Sequence, residues 1–140
     1  MKILLAIDGS AYTRKMLAYL TVHPEMFSGE TEFTLLTVHG LLPPRARTAL
    51  GKSAVDAYYA EETAKVLAPS LKFLERHGIR AKSAFKIGNA GEQIARTAAS
   101  GRFDLVVMGS HGNSALGNLV MGSVATQVLA QCKTPVLLVR

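Results

Sequence analysis

The chain has 140 residues, 49% of them hydrophobic and 19% charged, with a formal net charge of +6 and one cysteine. That length suits one domain with a real core, and the composition excludes a disordered chain. One cysteine excludes an internal disulfide framework and any CxxC metal site, and no apolar run reaches transmembrane length. Met1-Lys2 leads straight into an apolar run that Asp8 cuts short, so no targeting signal is expected and the cytoplasm is the expected compartment. The cations Lys2, Arg14, Lys15, Lys65, Lys72, Arg76, Arg80 and Arg96 are scattered. Only Arg45, Arg47 and Lys52 cluster, without interleaved aromatics, so no nucleic-acid surface is expected.

Strands and helices alternate along the chain. Residues 2–7 (KILLAI) read as a strand buried on both faces. Asp8-Gly9-Ser10 then turns the chain, with Ser10 placed to cap a helix that carries Tyr12, Met16, Leu17 and Leu20 and runs to about Met26. Phe33–His39 is a second strand. Residues 40–52, with two prolines, two glycines and three cations, are expected to form a loop, either a lid or a plain connection. A helix over about 53–77 follows, which Pro69 should kink or split, with Gly78 at its C′ position.

Residues 79–86 are more polar and suit an edge strand. Asn89 and Glu92 have capping-box spacing ahead of an apolar stripe of Ile94, Ala95 and Ala98, and Gly101 ends that helix. Residues 104–108 form a fourth strand. Ser123 opens the last helix as a plausible N-cap, with Val124, Val128 and Leu129 facing inward and Cys132 expected as a small buried hydrophobe on its apolar face. Pro135 leads into a fifth strand, Val136–Val139. This β-α alternation implies a single-domain α/β fold, an open five-stranded parallel sheet with helices on both faces. Ligands in such sheets bind beyond the C-terminal strand ends, where the strand order reverses.

Two strand ends carry candidate chemistry: Asp8-Gly9-Ser10, and the glycine-rich run Gly109-Ser110-His111-Gly112 followed by Gly122-Ser123. Glycines admit close backbone approach or positive φ, and a helix N-terminus presents unpaired amides that attract anions. The run lacks GxxxxGK[ST] and GxGxxG, so neither a P-loop nor a dinucleotide fingerprint is present. No SGG follows the first strand, which argues against the adenylating pyrophosphatases. A receiver domain would need an acidic pair after that strand, where Asp8 stands alone. Neither a Cys/His metal set nor a Ser-His-Asp order is evident.

The run fits G-x2-G-x9-G-[ST] at Gly109, Gly112, Gly122 and Ser123. With AIDGS, LLTVH, Gly88, DLVVMGSHG, GSVATQVL and TPVLLVR, the chain closely resembles the nucleotide-binding branch of the universal stress protein family. The resemblance implies a Rossmann-like sheet of the adenine nucleotide alpha hydrolase type, in strand order 3-2-1-4-5. It implies an ATP site that includes Ala6. Asp8 would lie beside the ribose or a phosphate-bound Mg²⁺ or Mn²⁺, and Val38 against adenine. Met108 and Gly109 would line the nucleoside pocket, and Gly112, Gly122, Ser123 and Val124 would hold the phosphates. His111 could reach the γ-phosphate, although a solvent-facing turn position suits it better. The family also implies a homodimer through Val136–Val139.

Residues 113–118 lack an arginine common in the family, and Thr13 stands where a serine is common, a change expected to matter little. The function expected is a nucleotide-dependent stress-response switch or scaffold. The alternatives are a slow ATPase, with Asp8 or His111 as base, and a nucleotide-independent interaction module. Gly122→Asp is expected to repel phosphate and leave the fold intact.

Overall fold

A computed structural model describes residues 1–27, 29–113 and 120–140. Five parallel strands, β1 (Lys2–Ala6), β2 (Glu32–His39), β3 (Ala81–Ile87), β4 (Leu105–Gly109) and β5 (Val136–Val139), form one sheet in the order β3-β2-β1-β4-β5. β1 lies at the centre, with Leu4 opposite Thr34 of β2 on one side and Val106 of β4 on the other. The order reverses between β1 and β4, so their C-terminal ends flank a crevice.

The two faces follow the strand period of two. Ile3, Leu5 and Ile7 pack with Leu35 and Val107 beneath α1 (Ala11–Val22) and α2 (Pro44–Arg76), through Met16, Leu17, Leu20, Leu67 and Leu74. Leu4 and Ala6 pack with Leu36, Val106 and Met108 beneath α3 (Ala90–Ser100) and α4 (Ser123–Gln131), through Ile94, Ala98, Ala125 and Val128. Burial on both faces explains why β1 is apolar without alternation. β3 at the edge has exposed and half-buried residues only, as its polar sequence suggests.

Several boundaries differ from those expected. α1 ends at Val22 and a 3-10 turn, Pro24–Phe27, follows, because a residue before proline is steered away from the α region. Residues 44–50, expected as loop, are helical. Pro44 lies in the first turn, where proline costs no hydrogen bond, and Arg, Ala and Leu propagate it. The break in α2 is at Gly51, whose φ of 78° and ψ of 164° only glycine adopts readily, and the helix runs on through Pro69 without splitting. Gly78, at φ 75°, follows the helix end as expected. Asn89 caps α3, its side chain accepting from the Glu92 amide at 2.9 Å. In α4 Val124 and Val128 face the core as expected, with Ala125 beside them, while Leu129 is exposed, because a shift of one residue turns a side chain about 100° around a helix. Cys132 is half-buried at the C-cap of α4, against the Leu4 side of the core.

Candidate functional site

A cavity of about 450 Å³ opens in the crevice between the ends of β1 and β4. Ala6, Asp8, Val38, Met108, Gly109, His111, Gly112, Gly122, Ser123 and Val124 all line it, so the structure brings every sequence-derived candidate to one place. Ile7, Thr13, Leu36, Ala90, Ile94, Asn113 and Ala125 complete the described lining and were not anticipated as site residues. Leu36 and Ile94 carry only a core signal in the sequence. Ala90 enters because α3 begins over the crevice.

Asp8 is set by local chemistry. Its Oδ1 accepts from the Ser10 amide at 2.9 Å and from the Thr13 hydroxyl at 3.0 Å. Thr13 Oγ1 in turn accepts from the amides of Asp8 at 3.1 Å and Gly9 at 3.2 Å. Ser10 has the extended torsions of an N-cap, yet its hydroxyl is buried without a partner among the described residues, so the expected Ser10 side-chain cap does not form. Asp8 and Thr13 organise the entry to α1 instead. Across the crevice, Asp8 Oδ2 accepts from the Asn113 amide at 3.1 Å, and the Asn113 side chain donates to the Asp8 carbonyl at 3.1 Å.

The glycines serve close approach and not unusual torsion. Positive φ occurs at Gly9, while Gly109, Gly112 and Gly122 have none. A Cβ on Gly109 would lie 2.6 Å from the Tyr12 Cβ, and one on Gly112 would lie 2.6 Å from Asp8 Oδ2. At Gly122 it would meet the His111 Cα at 3.1 Å and the Ser110 carbonyl at 3.2 Å. Gly122 also donates to that carbonyl at 2.7 Å, which pins the start of α4 beside β4. Gly122→Asp would therefore ask the neighbouring backbone to give by a few tenths of an ångström as well as add charge.

Gly122, not Ser123, is the N-cap of α4, and among the described residues no side-chain cap bond forms there. Ser123, Val124 and Ala125 thus present first-turn amides at the cavity wall, where the helix dipole is positive. Asp8 supplies an acceptor, and Ala6, Leu36, Val38, Ile94 and Met108 supply an apolar wall. His111 is half-buried and not a free turn residue. Its Nδ1 lies 2.8 Å from Ser110 Oγ, and its ring packs against Tyr12 with centroids 4.8 Å apart. His39 is structural, with Nε2 2.9 Å from Thr63 Oγ1. Positions 114–118 of the arginine-poor stretch lie outside the described residues.

Among the described residues no group of three or more His, Cys, Asp or Glu could hold a metal ion. Nor is any helix there long and apolar enough to cross a membrane.

The family model of the universal stress proteins matches residues 1–140. The chain is 32% identical over 139 residues to the Synechocystis universal stress protein Slr1230, covering 99% of this chain but 42% of that protein, so it spans less than half of that relative's length. The solved structure of the Methanocaldococcus jannaschii protein MJ0577 superposes with a TM-score of 0.81 at 26% identity, covering 99% of this chain and 94% of that one. An Archaeoglobus fulgidus universal stress protein in complex with dAMP shares the fold, with a TM-score of 0.68 at 17% identity over 100% and 98% of the two chains. With that match over its whole length, the chain belongs to the universal stress protein family.

Proposed function

We propose that the crevice binds an adenine nucleotide, ATP with Mg²⁺ or Mn²⁺, and that the protein acts as a nucleotide-dependent stress-response switch or scaffold. The carrying observation is the division of one cavity into an apolar slot, an acceptor at Asp8 and an open helix N-terminus. A flat base needs apolar walls with few polar groups, a ribose needs an acceptor, and phosphates need amides and a positive dipole. Ala6, Val38, Ile94 and Met108 would enclose the base, and Gly109 would let the sugar lie close to the backbone. Gly112, Ser123 and Val124 would hold the phosphates, with Gly122 keeping the helix start open and His111 at the rim. Universal stress proteins solved with cAMP, with dAMP and, in an Arabidopsis thaliana relative, with AMP support the adenine class. The choice of the triphosphate follows the intact glycine pattern.

A cation would come with the phosphates, not from a protein cage. Asp8 Oδ1 already accepts two hydrogen bonds and Oδ2 one, from the Asn113 amide, so Oδ2 would offer its remaining lone pair to a ribose hydroxyl or the ion. No residue is assigned to bond cleavage.

Titration calorimetry and native mass spectrometry test this reading. ATP should bind more tightly with Mg²⁺ than without it, and absence of binding by both ATP and AMP would overturn it. Ser123→Glu is the diagnostic substitution. An exposed carboxylate in the first turn of α4 favours the helix by about 0.3–1 kcal/mol, so the melting temperature should hold or rise. Affinity for ATP should fall at least tenfold, and unchanged affinity would place the phosphates elsewhere.

A further inference from the structure

A second cavity, of about 320 Å³, lies between α1 and α2 on the other side of the Asp8–Thr13 loop. Its volume is at the small end of ligand sites, roughly 300–1,000 Å³. Leu17, Val66, Pro69 and Phe73 supply an apolar floor. Three cations, Arg14, Lys65 and Arg76, join it, and no carboxylate is among its lining residues.

The cations are not equivalent. Lys65 is already paired, with Glu62 at 3.0 Å and Glu61 at 3.8 Å. Arg14 and Arg76 have no ion pair among the described residues. Arg14 reaches only the Gly9 carbonyl at 3.4 Å, and Arg76 only the Lys72 carbonyl at 3.4 Å. Two guanidinium groups thus keep their charge uncompensated beside an apolar surface, with donor forks suited to a carboxylate or phosphate.

Ser70 is a polar residue of the same lining. It is only 6% exposed, it lines this cavity, and its hydroxyl makes no hydrogen bond among the described residues. Ser10 Oγ is the one fully buried side-chain oxygen without a partner among the described residues, so the Ser70 oxygen keeps solvent contact and is available to a polar atom of an occupant.

We propose that this cavity binds a small amphipathic anion, with an alkyl or aromatic body on Leu17, Val66 and Phe73 and one carboxylate or phosphate head held by Arg14 and Arg76. Ser70 takes a polar atom of the same molecule. The two cavities share Thr13 in their lining and otherwise have different walls, and the proposal does not depend on the nucleotide reading.

Decanoate is a direct probe, with 1-decanol as its uncharged control and decyl phosphate to compare the two head groups. In a titration followed by two-dimensional ¹⁵N–¹H NMR on the full chain, saturable shifts should centre on Leu17, Val66, Ser70 and Phe73. The double variant Arg14→Gln/Arg76→Gln alters exposed side chains only. It should weaken decanoate at least tenfold while leaving 1-decanol within about twofold. Shifts confined to Val38, Ile94 and Val124, shifts that do not saturate, or decanoate binding unchanged in the double variant would each overturn the proposal. Binding of ATP in the first cavity is read separately from its own shifts, so loss of one result leaves the other standing.

Discussion

Thr13 shows how much one hydroxyl can organise. It accepts from two amides and donates to a carboxylate, joining the end of β1 to the first turn of α1. Thr13→Val keeps the shape and removes all three bonds. Leaving buried polar groups unpaired costs about 1–3 kcal/mol, so urea denaturation should show a loss of that order, with Thr13→Ser retaining most of the stability. A valine variant as stable as the parent would show that water replaces the hydroxyl at no cost. In the sequence, Thr13 looked like a minor departure, because periodicity and motif spacing say nothing about the partners of a hydroxyl. Asp8 and Gly122 were legible for the opposite reason, since each sits where a buried strand or a helix begins or ends. The cause assigned to the glycines was only half right: Gly109, Gly112 and Gly122 are needed for room, and positive φ falls to Gly9.

At the scale of elements, apolar runs made the strands readable, and end signals placed α3 closely. Asn89 accepts from the Glu92 amide in an exposed turn, so Asn89→Ala should cost about 1 kcal/mol in denaturant unfolding with the m-value unchanged. No loss would mean that water serves that amide equally well. The residues before Gly51 were misread because proline and glycine counted together as loop signals. Proline opening a helix and glycine breaking one are separate instructions, and here both are used within eight residues, Pro44 to Gly51. At Pro69 the split that was one of the two expected outcomes does not occur. Pro69 is exposed on α2, where surrounding helix on both sides holds its torsions helical. On α4, Val124 and Val128 pack inward as expected, and only Leu129 was misjudged, in place of Ala125, because alanine carries a weaker apolar signal than leucine. Ala125 is nevertheless the residue small enough to pack beneath α4, at 2% exposure.

At the scale of the molecule, alternation of elements predicts a parallel sheet but not which strands touch. Adjacency of β1 and β4 rested on resemblance, and it is this adjacency that turns two distant loops into one crevice. The same strand order leaves β5 at the edge, paired with β4 alone. Pro135 and Val139 direct their carbonyls to β4, accepting from Val106 and Ser110 at 2.9 Å each. By strand alternation the backbone groups of Val136 and Leu138 point outward. A free apolar edge invites pairing, and a second copy related by a two-fold axis would satisfy it from Val136 to Val139 in both chains. A homodimer of about twice the 15.0 kDa chain mass is therefore expected in size-exclusion chromatography with light scattering at micromolar concentration. Leu138→Pro removes an outward N–H without touching a bond to β4, so it should yield a monomer that still unfolds cooperatively. A parent protein that runs as a clean monomer would show that this edge stays unpaired, and a Leu138→Pro protein that remains dimeric would move the interface to another face.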